Sequence, residues 1–497
     1  MTRFDPLSLL VCPFCTGKLT RAIVLSEAEG EIDCGILNCG RCGFEYPVVA
    51  GIPIMMAAHE AIDSRFGTSQ TALLDGPRVS DLVSLLKNGE SLTAFAALLN
   101  PSQLGGDWFP SFDFAMSSEA PMSALRERVS HVAARASRAA KRAERVASRR
   151  LGRFVLPRAR LRLAQFLREH QGELSALDAI DLYYRRYSGS EGFSYFGYRF
   201  GQPRFLAALT LLAPLLDATG PLLDLACGTG HLTHFLASAQ AHRPVVGVDH
   251  DFFRVWLAKR YIAPKAMFVC APADHPLPFE AGGFGGVVCS DAFHYFLNRA
   301  ATVRDLKRLT ERNGIVVLAR IGNARVEPRE GYELDPSGYA QLMGDFPHVL
   351  LAESELVEAY KRRTGPDLSK RAEPTQLDGE KWLSIVASHN PATFAPPKPA
   401  KEWLHAAGRL QLNPIYEIEA RHPNGDLDLR FHFPSNWYKF ENQSYLEYAP
   451  EACRIPADVL AALEAGRDHP ALESFVSQFV VIGMPENYSR PRSAQRS

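Results

Sequence analysis

Net charge is what this 497-residue chain lacks, with 55 Lys and Arg against 55 Asp and Glu. Bulk electrostatics therefore favour neither nucleic acid nor a membrane surface, and only local clusters can. Long apolar runs are missing too. The longest, Phe205 to Leu216, is interrupted by Thr210 and Pro214 and falls short of a membrane span. No basic stretch followed by an apolar core opens the sequence, so a signal peptide is not expected and the chain reads as cytoplasmic. Cysteine is sparse, at nine residues; Cys34, Cys227, Cys270, Cys289 and Cys453 show no disulfide framework. A chain of this length is expected to hold about two to four domains and to bury sizeable cores.

Against that background one stretch stands out, Leu222-Leu223-Asp224-Leu225-Ala226-Cys227-Gly228-Thr229-Gly230. Its short apolar start reads as a buried strand of a parallel sheet. Gly228 and Gly230 then permit a tight turn and close approach of a ligand, and His231 to Ala239 begins a helix. Val245 to Val248 reads as a second buried strand ending in Asp249, whose carboxylate could accept both hydrogen bonds of a ribose diol. Further apolar stretches follow at Ala266–Ala271, Gly286–Cys289 and Gly314–Ala319. Strands alternating with helical segments predict a doubly wound sheet with its ligand at the strand C-terminal ends.

These motifs resemble the class I S-adenosylmethionine-dependent methyltransferases, and among them the ubiquinone/menaquinone methyltransferases. The resemblance covers about residues 195 to 320, and more loosely 321 to 388, where Val349–Val357 and Trp382–Ser388 would supply the last two strands. LLDLACGTG resembles the first family motif, Asp249 the ribose-binding acid, and Leu277-Pro278-Phe279 and Ser290-Asp291-Ala292-Phe293-His294-Tyr295-Phe296 the third and fourth motifs. The resemblance implies an α/β fold, a doubly wound, mostly parallel seven-stranded Rossmann-like sheet. It also implies S-adenosylmethionine contacts from Asp224, Ala226, Gly228, Thr229, Gly230, Asp249, His250, Ala273, Asp274, Ser290 and Tyr195. Two positions depart from the family pattern. Ala273 stands where an acid is usual, with Asp274 after it, and Phe284-Gly285 replaces the usual Phe-Asp.

Near the start, Cys12-Pro-Phe-Cys15 and Cys39-Gly-Arg-Cys42 form two knuckles separated by 23 residues. Four such thiolates can close a structural zinc site, which a module this small needs for lack of apolar core; a reduced, metal-free fold and Cys34 in place of Cys39 are the alternatives. The stretch around them, through Tyr46-Pro47-Val48 and Gly51-Ile52-Pro53, resembles the zinc-ribbon activator proteins of RNA and translation-factor methyltransferases. That resemblance implies an activator built into the chain; a purely structural ribbon and a nucleic-acid-reading one are the other readings. A closed four-thiolate site leaves no open position for catalysis at the metal.

The predicted organisation is a zinc ribbon over 1–58, a helical connector with an arginine-rich helix over 59–180, the methyltransferase domain over 181–389, and a small α+β appendage over 400–490. Val79–Lys87 and Ser91–Leu99 have helical spacing. Residues 125–170 carry 13 Arg and one Lys against Glu127, Glu144 and Glu169, a formal excess of +11. Their apolar stripe predicts a helix that is a solvated or protein-binding surface, with RNA or an anionic substrate as the other reading. An aromatic segment holding Tyr195 and Tyr198 precedes the sheet. By resemblance it folds over the cofactor's methionine end; packing against the sheet edge is the plainer reading. After a stretch with four prolines, Leu410–Glu419 and Leu427–Phe433 alternate as strands do, and Phe431–Tyr448 holds seven aromatics, expected to form the appendage core.

Methyl transfer from a sulfonium needs an aligned nucleophile more than acid-base machinery. His294, beyond the fourth strand, is the candidate catalytic base for an acceptor that carries a proton, with packing against the cofactor or binding of substrate as the other roles open to it. A small natural-product or quinone-like acceptor, methylated at O, N or C, is the favoured expectation. An RNA base is the alternative, supported by the ribbon and the arginine-rich helix. A methyltransferase-like scaffold without activity is the second.

Overall fold

The computed structural model describes residues 6–28, 30–57, 77–99, 160–187, 190–240, 242–273, 275–326, 333–399 and 404–489. Asp274 and residues 125–159 of the arginine-rich stretch lie outside them. Within the described part, 160–170 is helical and buries Ala164 and Leu167. No described helix is long and apolar enough to cross a membrane.

The first sheet is an antiparallel meander of β1 (Leu19–Ala28), β2 (Glu31–Cys39), β3 (Glu45–Val49) and β4 (Ile52–Pro53). Seven strands then build the central sheet: β5 (Leu222–Leu225), β6 (Val245–Asp249), β7 (Met267–Cys270), β8 (Phe284–Ser290), β9 (Thr310–Gly322), β10 (His348–Ala352) and β11 (Trp382–Ser388). Their order is β10-β11-β9-β8-β5-β6-β7, parallel except for β11, which runs antiparallel to both neighbours. The apolar runs are continuous because helices cover both faces. Successive side chains therefore part to opposite layers: Leu222, Val288 and Val317 join one apolar core, and Leu223, Val287 and Val316 the other. The order reverses between β5 and β8, where such sheets open a ligand crevice.

The ribbon docks beside β7 through a single bridge. Ile54 pairs in parallel with Cys270, and the Met55 N–H donates to the Cys270 carbonyl at 2.9 Å. On the other side, the Val11 N–H donates to the Pro278 carbonyl at 2.9 Å beside a Leu10–Phe279 bridge. Leu10, Tyr46, Val48 and Met55 share an apolar core with Val269, Leu277 and Phe279. An open edge strand is thereby covered.

Two expected strands end differently. The run expected to extend to Val357 stops at Ala352, because Glu353–Lys361 is a helix with Glu353 and Glu355 in its first turn. Leu410–Glu419 splits into β12 (Arg409–Leu412) and β13 (Tyr416–Arg421), in separate sheets. Asn413 and Pro414 cause the break: the Asn413 amide donates to the Phe479 carbonyl and the Tyr445 hydroxyl, and its oxygen accepts from the Ile415 N–H. β13 pairs with β14 (Leu427–Phe431), which pairs with β15 (Ala452–Ile455), while β12 pairs with β16 (Val481–Met484).

The aromatics of this last part are largely core, with Tyr438 and Tyr445 fully buried. Their hydroxyls also reach out of it. Tyr438 donates to the Tyr198 carbonyl at 3.1 Å, Tyr448 to Gly201 at 2.9 Å, and Tyr488 to Gly197 at 3.0 Å. The C-terminal part is thus tied to the aromatic segment that precedes the sheet.

Candidate cofactor and acceptor site

Register places the ends of β5, β6 and β8 on one edge, with Leu225 opposite both Val248 and Cys289. Beyond Leu225 the chain turns sharply. Ala226, Gly228 and Gly230 all have positive φ, at 56°, 55° and 81°, and Gly230 caps the helix His231–Ala239. A side chain at Gly228 would place its Cβ 3.1 Å from Phe196 Cε1, so the aromatic segment lies directly over this turn.

Asp249, 4% exposed, holds the turn from the next strand. Its Oδ2 accepts the Gly228 N–H and its Oδ1 the Asp251 N–H, both at 2.9 Å. A carboxylate has about four acceptor positions, so two remain after these bonds. His250 lies partly exposed with Nδ1 3.4 Å from Asp249 Oδ1. Asp224 has a different role. Its carboxylate is buried and accepts from Thr233 Oγ1 at 2.6 Å, and burial pushes its pKa up to about 7. Thr233 lies on the helix His231–Ala239, so this bond ties the strand to that helix from inside. Thr229 is likewise buried, 3.1 Å from His231 Nδ1. Ala273 is half-buried, its carbonyl 3.4 Å from Thr302 Oγ1.

Beyond β8 lies a buried charge network that the sequence did not announce. Asp291 accepts from Tyr195 Oη at 2.5 Å, Arg199 at 3.2 Å and Arg320 at 2.6 Å, and Arg204 stands 3.6 Å away. Burial pushes the Asp291 pKa up, but Arg320, Arg204 and Arg199 overcome it and hold the carboxyl well below its usual range. Burial raises the Tyr195 phenol to about 12. Glu353 balances Arg320 at 3.1 Å, and Glu441 balances Arg204 at 3.1 Å. The Arg320 guanidinium also lies 3.6 Å from the centre of the Trp382 ring.

The structure brings most of the expected residues to this edge. Tyr195 meets the Asp291 side chain rather than the glycine turn, where Phe196 sits instead. His294 is 2% exposed, its ring 4.1 Å from Tyr295 and 5.7 Å from Trp382. Ser290 Oγ is buried and has no hydrogen-bond partner among the described residues, a polar atom open to a ligand at the end of β8. That orphan hydroxyl, the glycine turn and the spare acceptor positions of Asp249 fit a nucleoside cofactor. Asp291 itself was legible, standing between Ser290 and His294, and Arg199 and Arg204 flank the aromatic segment. Arg320, Trp382 and Glu441 had no local signal, since only the fold brings them here.

At the other end, the Sγ atoms of Cys12, Cys15, Cys39 and Cys42 all lie within 4.8 Å of one another. Cys12 and Cys42 are 3.6 Å apart and Cys15 and Cys39 3.4 Å. Tetrahedral zinc with bonds of about 2.3 Å sets sulfurs about 3.8 Å apart, so the cluster fits that ion. Gly17 is required here, since a Cβ would sit 2.8 Å from Cys39 Sγ. Tyr46 Oη approaches Cys12 Sγ at 3.0 Å, and Cys34 lies in β2 outside the cluster.

Sheet order, glycine turn and second-strand acid are those of the class I S-adenosylmethionine-dependent methyltransferase fold. Residues 223–318 match the family model described as methyltransferase domain. A demethylmenaquinone methyltransferase of Thermotoga maritima is 27% identical over 100 residues, 20% of this chain and 43% of that protein. A malonyl-[acyl-carrier protein] O-methyltransferase of Legionella pneumophila is 26% identical over 102 residues, 20% of this chain and 36% of that protein. The chain thus spans less than half the length of these curated relatives. A chain in the complex between the Haloferax volcanii Trm112 methyltransferase activator and a methyltransferase aligns at TM-score 0.30 with 13% identity, over 40% of this chain and 94% of that one.

Proposed function

We propose that the protein transfers the methyl group of S-adenosylmethionine to an O, N or C nucleophile of a small-molecule acceptor. The Asp249 carboxylate bonded to the Gly228 amide is the observation that carries this reading, because it sets two remaining acceptor positions for a diol beside the glycine turn. Asp249 and Gly228 would bind the nucleoside, with Ala226, Thr229, Gly230, His250, Ala273 and Asp274 around it. Ser290 would donate to it from β8, and Asp224 would brace the turn. The cofactor supplies a methyl already activated on a sulfonium.

The remaining contribution is orientation in a closed site. Tyr195 is held by Asp291 and stacked by Arg199, whose guanidinium lies 4.5 Å from the ring centre, so this wall of the site is rigid. His294, beside Trp382 at the same edge, would take the acceptor proton as the catalytic base. Cys12, Cys15, Cys39 and Cys42 would hold a structural zinc ion in a ribbon that supports the sheet edge. The setting proposed is cytoplasmic.

Calorimetry with S-adenosylmethionine is expected to show binding by the wild type and a loss of about tenfold or more in Asp249→Ala, which removes two charge-assisted acceptors. Equal affinities would misassign the ribose site. Transfer of labelled methyl groups by the full chain into the low-molecular-weight fraction of a cell extract supports a small acceptor, and transfer into its RNA fraction supports the RNA-base reading. His294→Ala is expected to lower kcat by about 100-fold or more if the histidine is the base. Cofactor binding without transfer to either fraction would favour the scaffold reading. Protein partners, if recruited through the arginine-rich stretch, would meet a part of the chain of which only residues 160–170 are described.

A further inference from the structure

A cavity of about 780 Å³ opens where the ribbon, the helical connector and the sheet meet. It is lined from β2 by Glu31 and Asp33, from helix 160–170 by Arg168, and from the sheet side by Arg243, Lys259, Arg260 and Lys265. Val245 and Met267, the first residues of β6 and β7, form its floor. It therefore lies at the strand N-terminal ends, on the opposite edge from Asp249 and Ser290.

Its charges are unequally matched. Lys259 has Glu31 at 3.6 Å, and Asp33 Oδ2 accepts from Ser26 Oγ at 3.1 Å. The Arg243 guanidinium is fixed by the carbonyls of Gly220, Leu215 and Thr219, which keep it in place without neutralising it. Arg168, Arg260 and Lys265 form no ion pair among the described residues. Arg168, Arg260 and Lys265 are exposed at its rim; like charges gathered around one hollow repel each other, and an anion would relieve that repulsion. Planar guanidinium groups and an ammonium suit phosphate oxygens, and the volume is that of a small-molecule pocket.

We propose that this cavity is a second ligand site, for a small phosphate-bearing anion, separate from the methyl-transfer centre. Because its walls come from three parts of the chain, the bound anion would fasten ribbon, connector and sheet together and raise stability by mass action.

The test is calorimetric titration of the full chain with inorganic tripolyphosphate at low salt, on wild type and on Arg260→Gln/Lys265→Gln. Saturable binding by the wild type, weakened by at least about tenfold in the variant, is expected from loss of two charge-assisted contacts. S-adenosylmethionine affinity should stay unchanged in the variant, which separates this site from the cofactor site. Equal tripolyphosphate affinity in both proteins overturns the proposal, as does no binding by the wild type at millimolar concentration. A short RNA that binds where tripolyphosphate does not also overturns it, in favour of a nucleic-acid surface.

Discussion

Arg320 Nη1 donates to Asp291 Oδ1 across 2.6 Å, and both residues hold left-handed backbones, with φ of 52° and 58°. Neither is glycine. Such conformations cost about 1–3 kcal/mol each and persist only where the surroundings over-determine them. Here three arginines and a tyrosine do so, at the ends of neighbouring strands beside the candidate acceptor site.

Asp291→Ala should therefore destabilise the chain by about 3–5 kcal/mol, because it strands buried arginines without their shared carboxylate. Asp291→Gly removes the same charge but relieves the backbone, and should be about 1 kcal/mol less harmful. Chemical denaturation of both variants measures the difference. Equal losses would mean that the left-handed backbone at 291 stores no strain.

At Gly228 the constraint is both conformational and steric. Alanine there would have to adopt φ near 55° and set its Cβ 3.1 Å from Phe196 Cε1. Gly228→Ala is expected to cost about 1–2 kcal/mol from the backbone alone and to weaken S-adenosylmethionine binding. Adding Phe196→Ala should relieve the steric contact but not the backbone strain. A double-mutant cycle should give a coupling of about 0.5 kcal/mol or more, and strict additivity would mean that the aromatic segment does not press on the turn.

The ribbon's metal content discriminates among its cysteines. Elemental analysis should find about one zinc per chain in the wild type and in Cys34→Ser, and a clear loss in Cys39→Ser. Cys34 lies in β2, apart from the four clustered sulfurs. A chelator should lower the thermal midpoint, since metal binding to such a module is also folding energy. Full zinc in Cys39→Ser would return the ligand role to Cys34.

Periodicity and glycine spacing made the sheet legible because its strands are short, buried on both faces and bounded by turns, as Leu222–Leu225 and Val245–Asp249 are. The same reading singled out Asp249 and the four cysteines, which the structure places at the glycine turn and in one sulfur cluster, because the motifs that carry them are local in sequence. It missed the Arg320–Trp382 stack, because those residues are neighbours only through the Gly322–Trp382 register of β9 and β11. Glu441 was equally invisible, reaching Arg204 from a part of the chain more than 200 residues away. Alternation misled at Leu410–Glu419, where Asn413 bonds to main chain and side chain and ends one sheet before another begins.

The seam between the C-terminal part and the central sheet should weaken in acid. His405 is buried with Nδ1 2.5 Å from Tyr360 Oη and Nε2 2.7 Å from the Val476 carbonyl, and burial lowers its pKa to about 4. His234, packed where a Cβ on Gly408 would come within 2.8 Å of its Nε2, is lowered to about 4 in the same way. Both are neutral when folded. Below about pH 6.5 the unfolded chain takes up protons that the folded chain refuses, so this stability is complete above 6.5 and is lost as pH falls toward 4. Near pH 5 each histidine should contribute about 1 kcal/mol per pH unit to the slope of unfolding free energy. Urea denaturation of His405→Gln between pH 4.5 and 6.5 should show a slope lower than wild type by about that amount. The variant will also lose a constant amount from its missing hydrogen bonds, but a constant offset leaves the slope untouched. Equal slopes in the two proteins would therefore mean that His405 is already protonated or solvated in the folded chain, and that the seam is open to water.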